Sequence, residues 1–167
     1  LAFFVVGRGS NLLVRDGGFR GVIVALSQPG FARIEVAGDS LNCGAGARLK
    51  DVALAAKRSA LEGLEFLEGI PGSVGGALRM NAGAMGGEIF RVVRSVRIME
   101  PDGEVSEVPA ERLCPTYRDC PKLEGRIALA AALQGRAGKQ DQIEQRMNEY
   151  SRRRWASQPA APSAGCM

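Results

Sequence analysis

The sequence predicts an α+β fold with a largely antiparallel sheet. Short strand-like runs separated by glycine-rich turns, together with only two stretches of helical periodicity, indicate this class and exclude the regular βαβ alternation of a doubly wound fold. The 167 residues suffice for one or two small domains with a hydrophobic core. Because the apolar runs are short, we expect no segment that spans a membrane.

The first third of the chain predicts strands followed by one helix. A turn at 38–40 indicates a hairpin, and apolar residues at helical spacing predict a helix from Leu49 to Ser59, with Gly63 as its stop. The strands are predicted at residues 1–6, 21–26, 32–37 and 41–45.

The rest of the chain contains a glycine-dense segment, and its pattern predicts further strands and a last helix. The helix is expected from Gln140 to about Trp155, with Ile143, Met147 and Tyr150 on one stripe. A cluster of arginines at 152–154 suits the carboxyl end of a helix, although a nucleic-acid contact is the alternative. Antiparallel strands are predicted at residues 92–99, 104–108 and 126–133.

Composition excludes several kinds of chemistry. The chain has no histidine, so Ser-His, Cys-His and His-metal sites are ruled out. The cysteines form no CxxC pair or zinc spacing, which predicts no metal site and favours reduced thiols in a cytosolic protein. These are Cys43, Cys114, Cys120 and Cys166. The net charge of +4 is too evenly mixed to indicate more than a weak preference for an anionic partner.

Two glycine-rich loops are the strongest candidates for a binding site. The run 7–11 (Gly-Arg-Gly-Ser-Asn) fails the dinucleotide fingerprint because Leu12 replaces the third glycine, and the run 69–76 lacks the lysine of a P-loop. Both loops offer unobstructed backbone N–H groups suited to a pyrophosphate, and a short helix after Pro71 would direct further N–H groups at it. A plain β-turn and tight packing of small residues are the alternatives.

Four motifs of the chain are specific enough to compare with known families: residues 6–14, Gly44-Ala45-Gly46, the block 63–77 and Met80-Asn81-Ala82-Gly83-Ala84. They resemble the motifs of the UDP-N-acetylenolpyruvoylglucosamine reductase (MurB) family. The resemblance implies a cytoplasmic flavoprotein oxidoreductase with the FAD-binding fold of the vanillyl-alcohol oxidase type, which consists of two α/β subdomains. The implied division is 1–27 for an incomplete first subdomain, 28–138 for the second, and 139–167 for a helix and the connection to a substrate-binding domain.

The resemblance also implies the reaction and the cofactor site. NADPH would reduce FAD, and hydride would then pass to UDP-N-acetylglucosamine enolpyruvate, giving UDP-N-acetylmuramate for peptidoglycan in cell-wall biogenesis, cell shape and cell division. No nucleic-acid or membrane partner is implied. The implied cofactor-binding residues are Gly7, Gly9, Ser10, Asn11, Leu12, Ile70, Pro71, Gly72, Ser73, Gly75, Gly76, Asn81 and Gly83.

Three residues are implied to act on the substrate. Tyr117 and Arg118 match a Tyr-Arg pair of the family, in which the guanidinium would stabilise charge developing on the enol. From the residues alone, a surface salt bridge of Arg118 with Asp119 or Glu111 accounts for this arginine better, and the resemblance reverses that preference. Cys166 falls where the family has its proton donor, and a thiol pKa of about 8.5 suits that role.

Several features depart from a whole family member. The substrate-binding domain and a late catalytic glutamate are missing from this sequence, so we expect an incomplete enzyme of poor or no activity. The acidic residues Glu62, Glu65 and Glu68 are better understood as loop support or a solvated face than as replacements for that glutamate. A phosphate- or nucleotide-binding module without redox activity is the alternative function.

Overall fold

The computed structural model describes residues 1–157, which form eleven β-strands and three α-helices. The helices are α1 Leu49–Arg58, α2 Val74–Arg79 and α3 Gln140–Ser157. The strands are β1 Phe3–Val6, β2 Val22–Ala25, β3 Ile34–Ala37, β4 Ser40–Gly44, β5 Leu61–Glu62, β6 Gly83–Ala84, β7 Gly87–Glu88, β8 Val93–Met99, β9 Val105–Pro109, β10 Ile127–Gln134 and β11 Arg136–Ala137. Short 3-10 helices lie at Pro29–Phe31, Glu65–Gly69, Ile89–Arg91, Ala110–Arg112 and Pro121–Leu123.

The main sheet has five strands in the order β3-β4-β10-β8-β9, and every neighbouring pair is antiparallel. Tight turns close its two hairpins, with Gly38 at φ +61° and Gly103 at φ +91°. Glycine occupies these positions because a Cβ disfavours the left-handed region. The predicted α+β class, the hairpin at 38–40 and the antiparallel strands after it are therefore confirmed.

A separate pair of parallel strands carries the first glycine loop. In this sheet β1 pairs with β2, with Phe3 opposite Val22. The loop begins at Gly7, the residue after β1, so the strand pair fixes where the loop starts. The ring of Phe4 contacts that of Phe19 at a centroid distance of 5.9 Å, which ties the connection between the strands to the sheet.

Helix α1 ends before the predicted stop. The N–H of Ser59 donates to the carbonyls of Ala55 and Ala56, and Ala60 then adopts φ +53°. The chain reverses there so that β5 can pair with β11. The prediction of Gly63 as the stop was wrong, because Ala60 takes the left-handed conformation that usually falls to glycine.

The hydrophobic core lies between the main sheet and the helices. Helix α2 contacts β10, whereas α1 and α3 contact the 3-10 helix at Glu65–Gly69. The apolar stripe of α3 packs inward as predicted, with Ile143 and Met147 buried and Tyr150 half-buried. No helix within residues 1–157 has the length and apolar character needed to cross a membrane.

A buried carboxylate fixes α3 to the segment that precedes the second glycine loop. Glu65 is 6% exposed and accepts hydrogen bonds from the N–H of Gly63 (2.8 Å) and from Nε of Arg146 (2.9 Å). The hydrogen bond to Glu65 raises the pKa of Arg146, and Glu62 pairs with the same guanidinium at 2.8 Å. The predicted supporting role of these acidic residues agrees with this arrangement.

Candidate functional site

The two glycine loops lie against each other and line one large cavity of about 1330 Å³. Strand β1, the loop after β4 and the segment 123–126 complete its wall. The following predicted cofactor-binding residues line it: Gly7, Gly9, Ser10, Asn11, Leu12, Ile70, Pro71, Gly72, Ser73, Gly75, Gly76 and Gly83. The structure thus brings together two loops that lie about sixty residues apart in the sequence.

A hydrogen bond and a close approach join the two loops. The hydroxyl of Ser10 donates to the carbonyl of Pro71 at 2.9 Å. A Cβ added to Gly7 would lie 2.8 Å from Oγ of Ser73 and 3.7 Å from Cα of Gly76. The loops can approach this closely because Gly7 has no side chain.

The backbone N–H groups at the start of α2 are partly occupied. The N–H of Val74 donates to the carbonyl of Ala47 at 2.9 Å, and that of Gly75 donates to the carbonyl of Ala45 at 2.8 Å. These bonds anchor α2 to the loop after β4. The prediction that the helix start directs its N–H groups at a phosphate is wrong for these two residues, since protein carbonyls already bind them.

The cavity wall carries more positive than negative charge. Five arginines line it, against the two carboxylates of Asp51 and Glu124. Two of these arginines are paired with carboxylates outside the wall, Arg79 with Asp119 and Arg126 with Glu100, so the other three give the wall its preference for an anionic ligand. The arginines are Arg8, Arg48, Arg79, Arg118 and Arg126.

The predicted substrate-binding pair lies in a tight turn at the cavity. Arg118 lines the cavity, whereas the side chain of Tyr117 is 81% exposed and does not line it. The guanidinium carbon of Arg118 lies 5.3 Å from the centre of the Tyr117 ring, within cation–π range. The salt bridge with Asp119 suggested by the residues alone is not formed, because Asp119 pairs with Arg79.

Asn81 is placed differently from the other predicted cofactor-binding residues. It is 4% exposed, does not line the cavity, and donates from Nδ2 to the carbonyl of Thr116 at 2.9 Å. Its Oδ1 is buried and has no hydrogen-bond partner among residues 1–157. The amide therefore contacts the turn that carries Arg118.

The described cysteines lie outside the cavity wall. Cys43 and Cys120 are buried and Cys114 is exposed, and all three are free thiols. Burial raises the pKa of the Cys43 thiol to about 12, and burial is also the main cause that raises the pKa of Cys120. Cys166, the predicted proton donor, lies outside the described residues.

Sequence reasoning missed part of the wall. Arg48, Arg79 and Arg126 line the cavity, as do residues 26–27 and 123–126. No short motif marks these positions. Residues 123–126 precede β10 and reach the site through its pairing with β4 and β8. Residues 26–27 follow β2 of the separate two-stranded sheet, and Arg79 ends α2. Isolated arginines cannot be told from surface residues without that topology.

One known protein family matches most of the chain. A family model described as an FAD binding domain matches residues 1–109. The chain belongs to this FAD-binding domain family. The matched residues include both glycine loops and the first strands of the sheet that supports them.

The chain is similar to two curated reductases and to one solved reductase structure. The UDP-N-acetylenolpyruvoylglucosamine reductase of Paramagnetospirillum magneticum is 48% identical over 161 residues, which cover 96% of this chain and 52% of the relative. The reductase of the same name from Clostridium beijerinckii is 41% identical over 167 residues, covering 99% and 54%. The crystal structure of the Thermus caldophilus reductase matches with a TM-score of 0.88 and 36% identity, covering 98% of this chain and 59% of that one.

These matches confirm the predicted family resemblance and the predicted fold. The chain spans about half the length of the curated relatives that it matches. The part of this chain that matches them contains the FAD-binding domain.

The residues present in the cavity fit FAD. Its volume of about 1330 Å³ exceeds the roughly 300–1,000 Å³ of pockets for smaller ligands. The arginine-rich wall suits a diphosphate, and the approach at Gly7 leaves backbone rather than side chain facing the cavity.

Proposed function

We propose that this chain is the FAD-binding part of an NADPH-dependent UDP-N-acetylenolpyruvoylglucosamine reductase, with residues 1–27 and 28–138 as the two halves of the cofactor domain. One observation carries the proposal. The two glycine loops, joined by the bond from Ser10 to Pro71, face a single cavity lined by five arginines. The names of the relatives supply the reaction class.

The glycine loops would hold the pyrophosphate of FAD. The wall at Gly7 offers backbone at a place where a side chain would clash with Oγ of Ser73. Oγ of Ser73, at the amino end of α2, is a further donor on the same wall. Bound FAD would supply hydride transfer from NADPH to the enolpyruvyl group of UDP-N-acetylglucosamine enolpyruvate.

Arg118 would act on the acceptor. Its guanidinium lines the cavity, where it would bind the carboxylate conjugated to the enol and stabilise the negative charge that develops as hydride arrives. Tyr117, stacked beside the guanidinium, would limit its motion from the solvent side.

Cys166 would donate the final proton. We retain this role from the sequence, because a thiol releases a proton far more readily than a serine hydroxyl and the chain has no histidine to help. A cytoplasmic location, where thiols remain reduced, accords with the unpaired Cys43, Cys114 and Cys120.

Flavin spectroscopy tests the proposal in stages. We expect the purified chain to bind FAD with one flavin per chain, and the bound flavin to bleach on anaerobic addition of NADPH. In a full-length reductase that contains this chain, substrate should restore the oxidised spectrum, more slowly after Cys166→Ala. A chain that does not bind FAD contradicts the proposal. If the chain binds phosphate or other nucleotides but not FAD, the result supports the alternative function, a phosphate- or nucleotide-binding module that has no redox activity.

A further inference from the structure

The turn that carries Arg118 is strained and needs support from elsewhere. Arg118 adopts φ +56°, in the left-handed region that disfavours residues with a Cβ. Within the turn, the N–H of Thr116 donates to the carbonyl of Asp119 at 2.8 Å, and the N–H of Asp119 donates back at 3.3 Å. The long second bond leaves the carbonyl of Thr116 available to another donor.

Two side chains from the end of α2 and the residues after it bind the two ends of this turn. Asn81 donates from Nδ2 to the carbonyl of Thr116 at 2.9 Å. Arg79 donates from Nη1 to the carboxylate of Asp119, and its own carbonyl accepts the N–H of Cys120 at 3.0 Å. Both ends of the turn are therefore attached to the segment that also lines the cavity.

The Arg118 guanidinium lies beside strand β6. Nη1 of Arg118 lies 3.0 Å from the position that a Cβ on Gly83 of β6 would occupy. Asn81 itself has φ +36°, a conformation that asparagine tolerates better than most residues. Its amide is buried against the turn and its Nδ2 is already committed to Thr116.

We propose that Asn81 and Asp119 are positioning residues, which hold the Arg118 guanidinium in the cavity by binding the two ends of its turn. The use of this position rests on the proposed function, in which Arg118 meets the acceptor. Asn81 acts through Arg118 and does not bind the cofactor itself. This assignment replaces the role that the sequence resemblance implied for Asn81.

The test removes each attachment and follows Arg118 by NMR spectroscopy. Asn81→Gly deletes the amide but still permits a positive φ, and Asp119→Ala deletes the partner of Arg79 at a half-exposed position. The matched control, Glu144→Gln, breaks the ion pair with Lys57, and neither of these residues lines the cavity. The readouts are the cross-peak between the Arg118 side chain and Gly83, and amide exchange at Thr116 and Asp119.

We expect both variants to lose the cross-peak and to exchange the turn amides roughly 5-fold faster, as follows from the loss of one hydrogen bond. Amides of β10 should keep their protection, and the control should match the wild type. If the cross-peak persists in Asp119→Ala and Asn81→Gly, the proposal is overturned. If Asn81→Gly does not fold, the cross-peak in Asp119→Ala alone decides whether the proposal stands.

An FAD titration of the same samples separates this proposal from the proposed function. We expect the Kd of both variants for FAD to stay within about 2-fold of the wild-type value. A change of that size corresponds to much less free energy than the loss of one hydrogen bond. If Asn81→Gly weakens FAD binding while the Arg118 cross-peak persists, Asn81 is a cofactor ligand and the positioning role fails. If no sample binds FAD but the cross-peak is lost as expected, the positioning role stands and the proposed function fails.

Discussion

Replacing Gly7 with alanine is the sharpest perturbation of the contact between the two loops. The new Cβ would lie 2.8 Å from Oγ of Ser73, whereas ordinary contacts begin at 3.4 Å, so the atoms must separate by about 0.6 Å. Ser73 is 3% exposed and has little room to move. If its hydroxyl rotates away, a donor leaves the cavity wall; if the loop moves, the cavity widens.

Either adjustment should weaken FAD binding. Overpacking of this kind costs about 1–3 kcal/mol. If that cost falls on the bound conformation, the Kd for FAD rises roughly 5- to 150-fold. The assay is quenching of FAD fluorescence on titration with protein, with Gly17→Ala as the control, because Gly17 has an ordinary φ and nothing within 4 Å of an added Cβ.

A double variant identifies the cause. In Gly7→Ala combined with Ser73→Ala the close contact is gone. The loss of FAD-binding free energy in the double variant should therefore be smaller, by at least about 1 kcal/mol, than the sum of the losses in the two single variants. If Gly7→Ala binds FAD as tightly as Gly17→Ala, the glycine loops are not the FAD site. If the double variant shows additive losses, the contact with Ser73 is not the reason for glycine at this position.

Three further changes test other parts of the structure. Ser10→Ala removes the hydrogen bond to Pro71 at an exposed site, so we expect the Kd for FAD to rise roughly 5-fold with the melting temperature nearly unchanged; a large loss of stability without a change in Kd would contradict this. Gly46→Ala would place a Cβ 1.9 Å from the carbonyl oxygen of Leu26, so urea unfolding should show a loss of about 3 kcal/mol or more, and a variant as stable as Gly17→Ala would refute this close packing. Burial raises the pKa of Cys43 from 9.0 to about 12, so the thiol ionises first in the unfolded chain and stability falls as the pH rises from 9 towards 12, by up to about 1.4 kcal/mol per pH unit. The free energy of unfolding of Cys43→Ala should lack this component, and identical slopes in the two proteins would show that Cys43 is not buried.

The sequence predicted the fold class because local signals and final structure agree in most elements. The hairpin turns need a positive φ, which Gly38 and Gly103 supply. The apolar stripe that contains Ile143 and Met147 lies on one side of α3, so only that side can be buried. The end of α1 was missed for the opposite reason. Ala60 adopts a positive φ only because β5 must pair with β11, and no local pattern reports that pairing.

The candidate site was predicted only in part. The glycine loops were found because glycine is concentrated where a backbone must be approached closely, and Gly7 is approached in this way by Ser73. The arginines of the wall could not be found, because Arg48 and Arg126 come to the same cavity only through the order of strands in the main sheet. Asn81 was found by resemblance, but its bond to Thr116 depends on a turn thirty-five residues away.

A crystal structure of the chain with FAD tests the central claim most directly. We predict electron density for the pyrophosphate between the loop 7–11 and the loop 69–76, with the bond from Ser10 to Pro71 intact and the arginine-lined wall facing the ligand. Density for FAD at any other surface, or an empty cavity in crystals whose protein is saturated with FAD, would contradict the assignment of this cavity.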